Sequence, residues 1–280
     1  MEGYSDTFTV QDKMIGKHPT EDSVFATCLV CRDMPCSNGK VHRSLMEIDC
    51  KRDDYVKEIA KWLIKYHLSE RKKYQLKKKK EMLEKYEFKK YADSLNIFPT
   101  SDKTRKGNLG EVVLSEYLSA TSNIDILIYR LRYNPNVDQS MKGDDVLLVD
   151  NNRVLVGESK FRSKADKKVV DDISNKFGVE IMLPTSLSFI ADRLYDEHNY
   201  ELAEKVSEVE ACIPYGSIDI KNIGLIVSDS SAHRAVERHM SSKNKNFLII
   251  TMNVDDPIGF LNSTFNLAKK GLEGELSYVY

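Results

Sequence analysis

The pattern of apolar and polar residues in the middle of the chain predicts a β-hairpin. Two short apolar runs, Val146–Val149 and residues 154–156, flank a polar turn at residues 150–152. Asn and Asp tolerate the left-handed backbone angles of tight turns, so this pattern is typical of two antiparallel strands. Because side chains alternate between the two faces of a strand, we expect Glu158 and Lys160 to lie on the same face.

The chain before the hairpin is predicted to form short strands and then helices. The strands cover residues 23–30 and 41–48, and helical spacing of apolar residues begins near Asp53 and extends to Leu68. Residues 69–95 are predicted to form a second helix, either continuous with the first or separate from it.

A further helix and strand are predicted immediately before the hairpin. Gly107 and Gly110 open an amphipathic helix of about three turns, in which Glu111 lies in the first turns. The two glycines let another backbone approach closely. Residues 124–133 are apolar and β-branched enough for a strand, which the sequence Asn-Pro-Asn at residues 134–136 ends.

Helices alternate with strands after the hairpin. One helix is expected from about Asp166 to Phe177, and a longer one over residues 187–209. Two continuous apolar runs, at residues 223–227 and 247–252, are typical of strands that are covered on both faces.

The helix predicted at residues 232–240 has the length of a crossover connection, so the two strands that it joins can be parallel. A last helix is predicted at residues 257–267. Together these elements predict an α/β fold, with a mixed central β-sheet flanked by helices and a helical N-terminal region. Residues 96–106 form a candidate linker, so we expect an N-terminal region with basic helices at 1–98 and a second domain at 99–280.

Composition and charge add a basic segment to this picture. The chain has 280 residues, is 41% hydrophobic and contains no apolar run near the ~20 residues of a membrane span. Residues 1–10 lack the pattern of a signal peptide, so we expect a cytoplasmic protein.

The formal net charge is −1, but it is unevenly distributed. Residues 51–90 hold 15 basic and 7 acidic side chains, a net of +8, which leaves −9 for the remainder. Such a cluster is typical either of a surface that contacts phosphates or of a solvated helix face with intrahelical ion pairs.

Four of the five cysteines lie near the N-terminus. Cys28 and Cys31 have the spacing of zinc ligands and His42 lies nearby, but no second tight pair accompanies them. The same stretch also fits a strand in which cysteine is a small apolar residue. Zinc binding by these cysteines together with Cys36 and Cys50 therefore stays open, whereas an odd cysteine count argues against a disulfide framework.

The two ends of the hairpin carry candidate catalytic groups. Asp145 directly precedes the first apolar run, and Glu158 lies near the end of the second strand. An Asp and a Glu that meet across a hairpin offer hard oxygen ligands to a divalent cation such as Mg²⁺ (or Mn²⁺). Lys160 can orient or help to deprotonate an attacking water, or stabilise charge on a phosphate. Asp144 is the alternate metal ligand, and Glu111 is either a third acidic ligand or a carboxylate that favours the helix dipole.

The order of these groups resembles the PD-(D/E)xK nuclease superfamily, which combines an Asp at the start of one strand with Glu-x-Lys at the end of its partner. The stretch Lys-Gly-Asp-Asp at residues 142–145, together with Gly-Glu-Ser-Lys at 157–160 behind a Gly-x-x-Gly-Glu helix, resembles more narrowly the HamA family of Hachiman anti-phage defence. This resemblance covers about residues 100–260. The leading Pro of the superfamily is absent, because Gly143 and Asp144 stand in front of the next Asp.

The resemblance implies a restriction-endonuclease-like core and a metal-dependent DNA endonuclease with little sequence preference. It assigns Asp145, Glu158 and Glu111 to metal binding and Lys160 to catalysis. It also implies a HamB-like helicase partner, which holds the nuclease and releases it on sensing aberrant DNA. Two other functions stay open: a catalytically silent nuclease-fold subunit that binds DNA or a helicase, and a stand-alone restriction or repair endonuclease.

Overall fold

A six-stranded mixed β-sheet forms the centre of the protein, which the computed structural model describes over residues 8–35 and 40–273. The strands are β1 (Leu29–Asp33), β2 (His42–Glu47), β3 (Val146–Val149), β4 (Arg153–Phe161), β5 (Asp219–Ser228) and β6 (Phe247–Asn253). They lie in the order β1-β2-β6-β5-β4-β3. The inner strands run parallel, and each edge strand pairs antiparallel with its neighbour. This mixed sheet, flanked by helices, confirms the predicted fold class.

Helices cover both faces of the sheet. They are α1 (Val10–Ile15), α2 (Val24–Cys28), α3 (Arg52–His67), α4 (Glu70–Met82), α5 (Lys85–Ser94), α6 (Asp102–Ser122), α7 (Lys167–Phe177), α8 (Leu187–Asp196), α9 (Tyr200–Cys212), α10 (Ser231–His239) and α11 (Pro257–Glu273). Helices α3, α6 and α11 build an apolar core on one face, and α7 to α10 build a second core on the other. Among the described residues, no helix combines the length and apolarity needed to cross a membrane.

The predicted hairpin is present and connects the two cores. Val146 pairs with Gly157 and Val149 with Val154, and the turn closes through the backbone of Asp150 and Arg153. Alternation along β4 then decides which core each side chain enters. Leu155 and Phe161 face α6, whereas the even-numbered residues face α7.

Helix α6 lies close against the hairpin because two positions at the contact lack a side chain. A Cβ at Gly110 would lie 2.6 Å from Ser159 Oγ, and a Cβ at Gly157 would lie 2.8 Å from Leu114 Cδ2. A Cβ at Gly107, by contrast, would meet nothing within 4 Å. Of the two glycines expected to permit a close approach, only Gly110 does so. The helix is also longer than the three turns predicted.

The strand predicted at residues 124–133 is wrong. This segment holds the 3-10 helix Arg130–Tyr133 and forms no ladder with the sheet, whose edge on this side is β3. Its apolar side chains Ile124, Ile128 and Leu131 are nevertheless buried. Burial without strand pairing therefore accounts for the β-like composition of the segment.

Three other predicted elements are divided in the structure. The first half of the strand predicted at residues 23–30 is α2, where Ser23 Oγ accepts a hydrogen bond from the Phe25 N–H. The helix predicted at 187–209 is interrupted by His198, whose φ of 61° is left-handed. The basic segment forms two helices, α4 and α5, because the chain is extended between them at Leu83.

The other strands agree with the sequence pattern. The runs at residues 223–227 and 247–252 lie in β5 and β6, which are parallel neighbours joined through α10. Strand β2 also pairs with β6, so the sheet contains strands from both sides of residue 99. The predicted division at this residue stays a prediction.

Candidate active site

The hairpin register brings Asp145 and Glu158 to opposite positions at one end of β3 and β4. Val146 pairs with Gly157, so the next step of the antiparallel register places Asp145 across from Glu158. The backbone N–H of Ser159 donates to Asp145 Oδ2 at 3.3 Å. This contact fixes the start of β3 against the end of β4, as the spacing of the two acids suggested.

Both carboxylate oxygens of Glu158 are held by lysines. Lys160 Nζ donates to Oε1, and Lys176 Nζ donates to Oε2 at 2.5 Å. Lys160 and Glu158 therefore lie on one face of β4, as predicted, and Lys176 reaches them from α7. The side chain of Glu158 is buried, so these two charge-assisted hydrogen bonds are partly shielded from water.

Lys176 is a site residue that the sequence did not reveal. Its helix was predicted, and Ile173 and Phe177 were expected on the core face. Lys176 lies at the flank of that face, next to Phe177, and its orientation depends on how α7 packs against the sheet. The chain contains three lysines in α7, and no spacing rule distinguishes this one from Lys167 or Lys168.

The charges at this site shift the pKa values of the two acids in opposite directions. Burial raises the pKa of Asp145 to about 6, and the negative charge of Glu158 adds to this rise. Burial also opposes ionisation of Glu158, but the hydrogen bonds and charges of Lys160 and Lys176 outweigh it and hold its pKa below the usual value. Glu158 is consequently the ionised partner of the pair near neutral pH, while Asp145 is closer to its titration point.

Glu111 lies beside Asp145 but on the other side of the hairpin. It comes from α6 and lines a recess of about 50 Å³ together with Arg130, Leu131, Asn134 and Asp145. We call this the acidic recess. Burial raises the pKa of Glu111 to about 8; the charge of Arg130 lowers it and that of Asp145 raises it further.

Arg130 is a second residue that the sequence did not single out. Its side chain is buried, and Nη2 donates to the Lys142 carbonyl at 3.3 Å. Its Nη1 is buried without a hydrogen-bond partner among the described residues. The segment was predicted to be a strand, so the inward orientation of this guanidinium could not be derived from the pattern.

Asp144 has a different environment from Asp145. It is fully buried, and its carboxylate accepts hydrogen bonds from the backbone N–H groups of Thr185 at 2.7 Å and Ser186 at 3.0 Å. The Thr185 hydroxyl adds a third at 3.2 Å. The Asp144 N–H in turn donates to Ser186 Oγ. Asp144 thus fastens the start of β3 to the chain that enters α8.

The structure therefore brings Asp145 next to both other acids but does not gather all three at one point. Glu158 and Lys160 face α7, and Glu111 approaches from the α6 side. Among residues 8–35 and 40–273, no group of three or more His, Cys, Asp or Glu side chains is spaced to hold a metal ion. Of the cysteines considered for zinc, Cys28 is buried, Cys50 is exposed, and Cys36 lies outside the described residues.

Comparison with known proteins places these features in a family context. A family model described as HamA matches residues 23–268 of the chain. The chain is also 50% identical, over 264 residues, to a protein of Bacillus cereus named Hachiman protein HamA. That alignment covers 94% of this chain and 97% of the relative. The family match contains Glu111, Asp144, Asp145, Glu158 and Lys160.

Proposed function

Since this chain belongs to the HamA family, we propose that it is a metal-dependent DNA endonuclease and the effector subunit of an anti-phage defence complex. Its partner would be a HamB-like helicase, and its substrate would be cleaved with little sequence preference. The observation that supports this most strongly is the arrangement of Asp145 opposite Glu158, with Lys160 on the same face as Glu158. This arrangement resembles the Asp and Glu-x-Lys constellation of the PD-(D/E)xK nucleases.

The donor set suits a hard divalent cation. Asp145, Glu158 and Glu111 offer carboxylate oxygens, which Mg²⁺ and Mn²⁺ prefer. The charge of Glu158 helps to raise the pKa of Asp145, and the charge of Asp145 helps to raise that of Glu111. A cation between these groups would relieve that repulsion.

We assign the cation to Asp145 and Glu158; Glu111, which approaches Asp145 from the α6 side, would complete the set only if it moved toward Glu158. Asp144 is the weaker candidate, because its carboxylate already accepts three hydrogen bonds at the start of α8. When bound, the metal would polarise the scissile phosphate and lower the pKa of a water molecule. Glu158 would exchange at least one of its lysine contacts for the cation.

Lys160 would position the attacking water. Its ammonium group already lies against Glu158, so a water bound beside this carboxylate would come within reach of Nζ. Lys176 supplies a second positive charge at the same carboxylate, and one of the two can therefore leave without removing all charge compensation. Positive charge at this point also stabilises the negative charge that develops on a phosphate.

A plasmid-nicking assay tests the proposal. Supercoiled plasmid is incubated with Mg²⁺ and the full chain, with and without the co-expressed helicase partner. We expect cleavage by the wild type, a loss of about 100-fold or more for Glu158→Ala and Lys160→Ala, and little change for Glu204→Ala, which removes an exposed carboxylate on α9. Wild-type cleavage that persists in excess chelator would refute metal dependence.

One observation favours a catalytically silent subunit as the alternative. With Lys160 and Lys176 on its two oxygens, Glu158 has no oxygen free of a cationic partner. If neither added metal nor the partner displaces a lysine, the subunit would bind without cutting. The same assay separates the two functions, since a silent subunit leaves the plasmid intact under every condition.

A further inference from the structure

A groove of about 750 Å³ lies between the basic helices and the segment that follows α6. Its walls include Lys72, Gln75 and Leu76 of α4, Tyr91 of α5, and Arg132 and Tyr133 opposite them. We call it the α4 groove. Leu76 is the one buried residue of α4, so most of the surface of this helix does not pack against the apolar core.

Positive charge approaches the α4 groove from both walls. Lys72 is exposed on α4, and Lys79, two helical turns further along, lies with Nζ 5.4 Å from the centre of the Tyr91 ring. On the opposite wall, Arg132 is held by a hydrogen bond from Nε to the Lys65 carbonyl. Such charges on a preformed surface attract a polyanion.

The acidic residue that lines the groove is already engaged. Asp138 accepts hydrogen bonds from the N–H groups of Thr100 at 2.6 Å and Ser101 at 3.0 Å. These contacts lower the pKa of Asp138 and tie its charge to the start of α6. Among described residues, Lys72 has no salt bridge, so its charge is not neutralised within the protein.

The α4 groove and the acidic recess are neighbours with a shared wall. Leu131 and Asn134 line both depressions. The α4 groove and the acidic recess are therefore adjacent, with these two residues lying between them.

We infer that the α4 groove binds a single strand of DNA and leads it to the acidic recess. The choice of ligand rests on the proposed nuclease function. The volume is that of a small-molecule cleft, which is enough for a few nucleotides of a single strand. Cations for the backbone and tyrosine rings for the bases are the elements with which proteins hold single strands without sequence preference.

Binding of labelled oligonucleotides tests this without requiring cleavage. The full chain is titrated in EDTA against fluorescein-labelled oligothymidine and against a duplex of equal length, with fluorescence anisotropy as the readout. Lys72→Glu reverses a charge at the groove, and Gln75→Glu adds one there with no change of size. The matched control is Lys77→Glu, which reverses a charge on the opposite side of the same helix.

We expect the single strand to bind more tightly than the duplex. Lys72→Glu and Gln75→Glu should weaken single-strand binding about tenfold, and Lys77→Glu about twofold or less. Equal losses for Lys72→Glu and Lys77→Glu would overturn the inference, because they would show binding to general charge on α4. Tighter binding of the duplex, or no binding of the single strand at low salt, would overturn it as well.

The binding measurements and the plasmid assay test the groove and the nuclease separately. Groove-dependent binding with an intact plasmid would leave the single-strand site in place and refute the nuclease. Cleavage that depends on Glu158 but is unaffected by Lys72→Glu, with no difference between the binding of variants, would refute the groove and leave the nuclease.

Discussion

Glu158 is the residue whose partners most affect the chemistry of the site. Its two oxygens are held by Lys160 from its own strand and Lys176 from α7. Any cation that binds Glu158 must compete with these ammonium groups. If the site binds a metal as proposed, its affinity depends on a lysine outside the Glu-x-Lys sequence as well as on the acids.

Replacing Lys176 should strengthen metal binding. Lys176→Met leaves Oε2 of Glu158 free, so we expect the dissociation constant for Mn²⁺, measured by calorimetry, to fall by about threefold to tenfold. Lys168→Met is the matched control, because Lys168 is exposed on the same helix. An unchanged or larger dissociation constant for Lys176→Met would contradict the competition.

Glu111 should make stability depend on pH. Its pKa rises from 4.5 to about 8 on folding, so the folded state binds the extra proton between these values. The resulting stabilisation is complete below about pH 4.5 and is lost as the pH rises through about 8. In EDTA, we expect the free energy of unfolding of the wild type to fall between about pH 5 and 8, with a slope of at most about 1.4 kcal/mol per pH unit from this group.

Glu111→Gln should flatten that profile, since the amide does not titrate. Urea unfolding at several pH values measures the difference between the two proteins. Asp145, with a pKa of about 6, contributes a smaller dependence at lower pH that remains in the variant. Parallel profiles for the wild type and Glu111→Gln would show that Glu111 keeps its ordinary pKa in the folded protein.

At the scale of single residues, the sequence predicted which way a side chain points on a strand, but not on a helix or a loop. Alternation along β4 was enough to place Glu158 and Lys160 on one face. Lys176 and Arg130 depend on how α7 and the 3-10 helix are packed, and a helix or loop can turn the same sequence in many directions. The different environments of Asp144 and Asp145 also depend on the position of the α8 entrance, which the sequence pattern does not give.

At the scale of elements, Gly110 is one of the two glycines that let α6 lie close against the hairpin. Gly110 faces Ser159 of β4, and the next residue, Glu111, then lies at the acidic recess. A methyl group at this position would force α6 and β4 apart.

Gly110→Ala and Gly107→Ala should therefore have opposite effects. The new Cβ of Gly110→Ala lies 2.6 Å from Ser159 Oγ, and we expect a loss of about 1–3 kcal/mol in urea unfolding. Gly107→Ala meets nothing within 4 Å, and a better helix former there should be neutral or stabilise by up to about 1 kcal/mol. Equal effects would mean that helix propensity, not packing, determines both results.

Sequence periodicity predicted the elements well where it was strict. The hairpin, β5, β6 and α10 each show one clear pattern, and each is present. The segment at residues 124–133 has the composition of a strand, but composition does not provide a pairing partner. The break at His198 is a single left-handed residue, which leaves no mark on the spacing of apolar positions around it.

At the scale of the whole molecule, Arg43 joins the first strands to the rest of the protein. It is fully buried, with Nη2 at 3.1 Å from Asp12 Oδ1 and Nε at 2.6 Å from Asp33 Oδ1. Its Nη1 also donates to the hydroxyl of Tyr117 on α6. The N-terminal segment is thus connected to α6 by a hydrogen bond from a buried guanidinium group.

Arg43→Met should lower stability strongly. The substitution leaves the carboxylates of Asp12 and Asp33 without their cation, so we expect a loss of about 3–5 kcal/mol. Arg43→Lys keeps the charge but not the forked geometry and should lie between this variant and the wild type. Urea unfolding followed by the fluorescence of Trp62 and by circular dichroism measures both variants. The apolar core around α3 contains residues from before and after residue 99. We therefore expect the fluorescence and circular dichroism signals to change at the same urea concentration.

The adjacent acids Asp144 and Asp145 have a consequence for recognising distant relatives. Asp144 serves as an acceptor for backbone N–H groups, a task that Asn, Ser or Thr also perform at helix starts. Asp145 faces the other carboxylates, where only an acid supplies the charge. As relatives diverge, we therefore expect the first position to drift among small polar residues while the second stays acidic. A motif search that accepts an acid at either position would therefore include chains that keep the structural acid at position 144 but lack the acid at position 145.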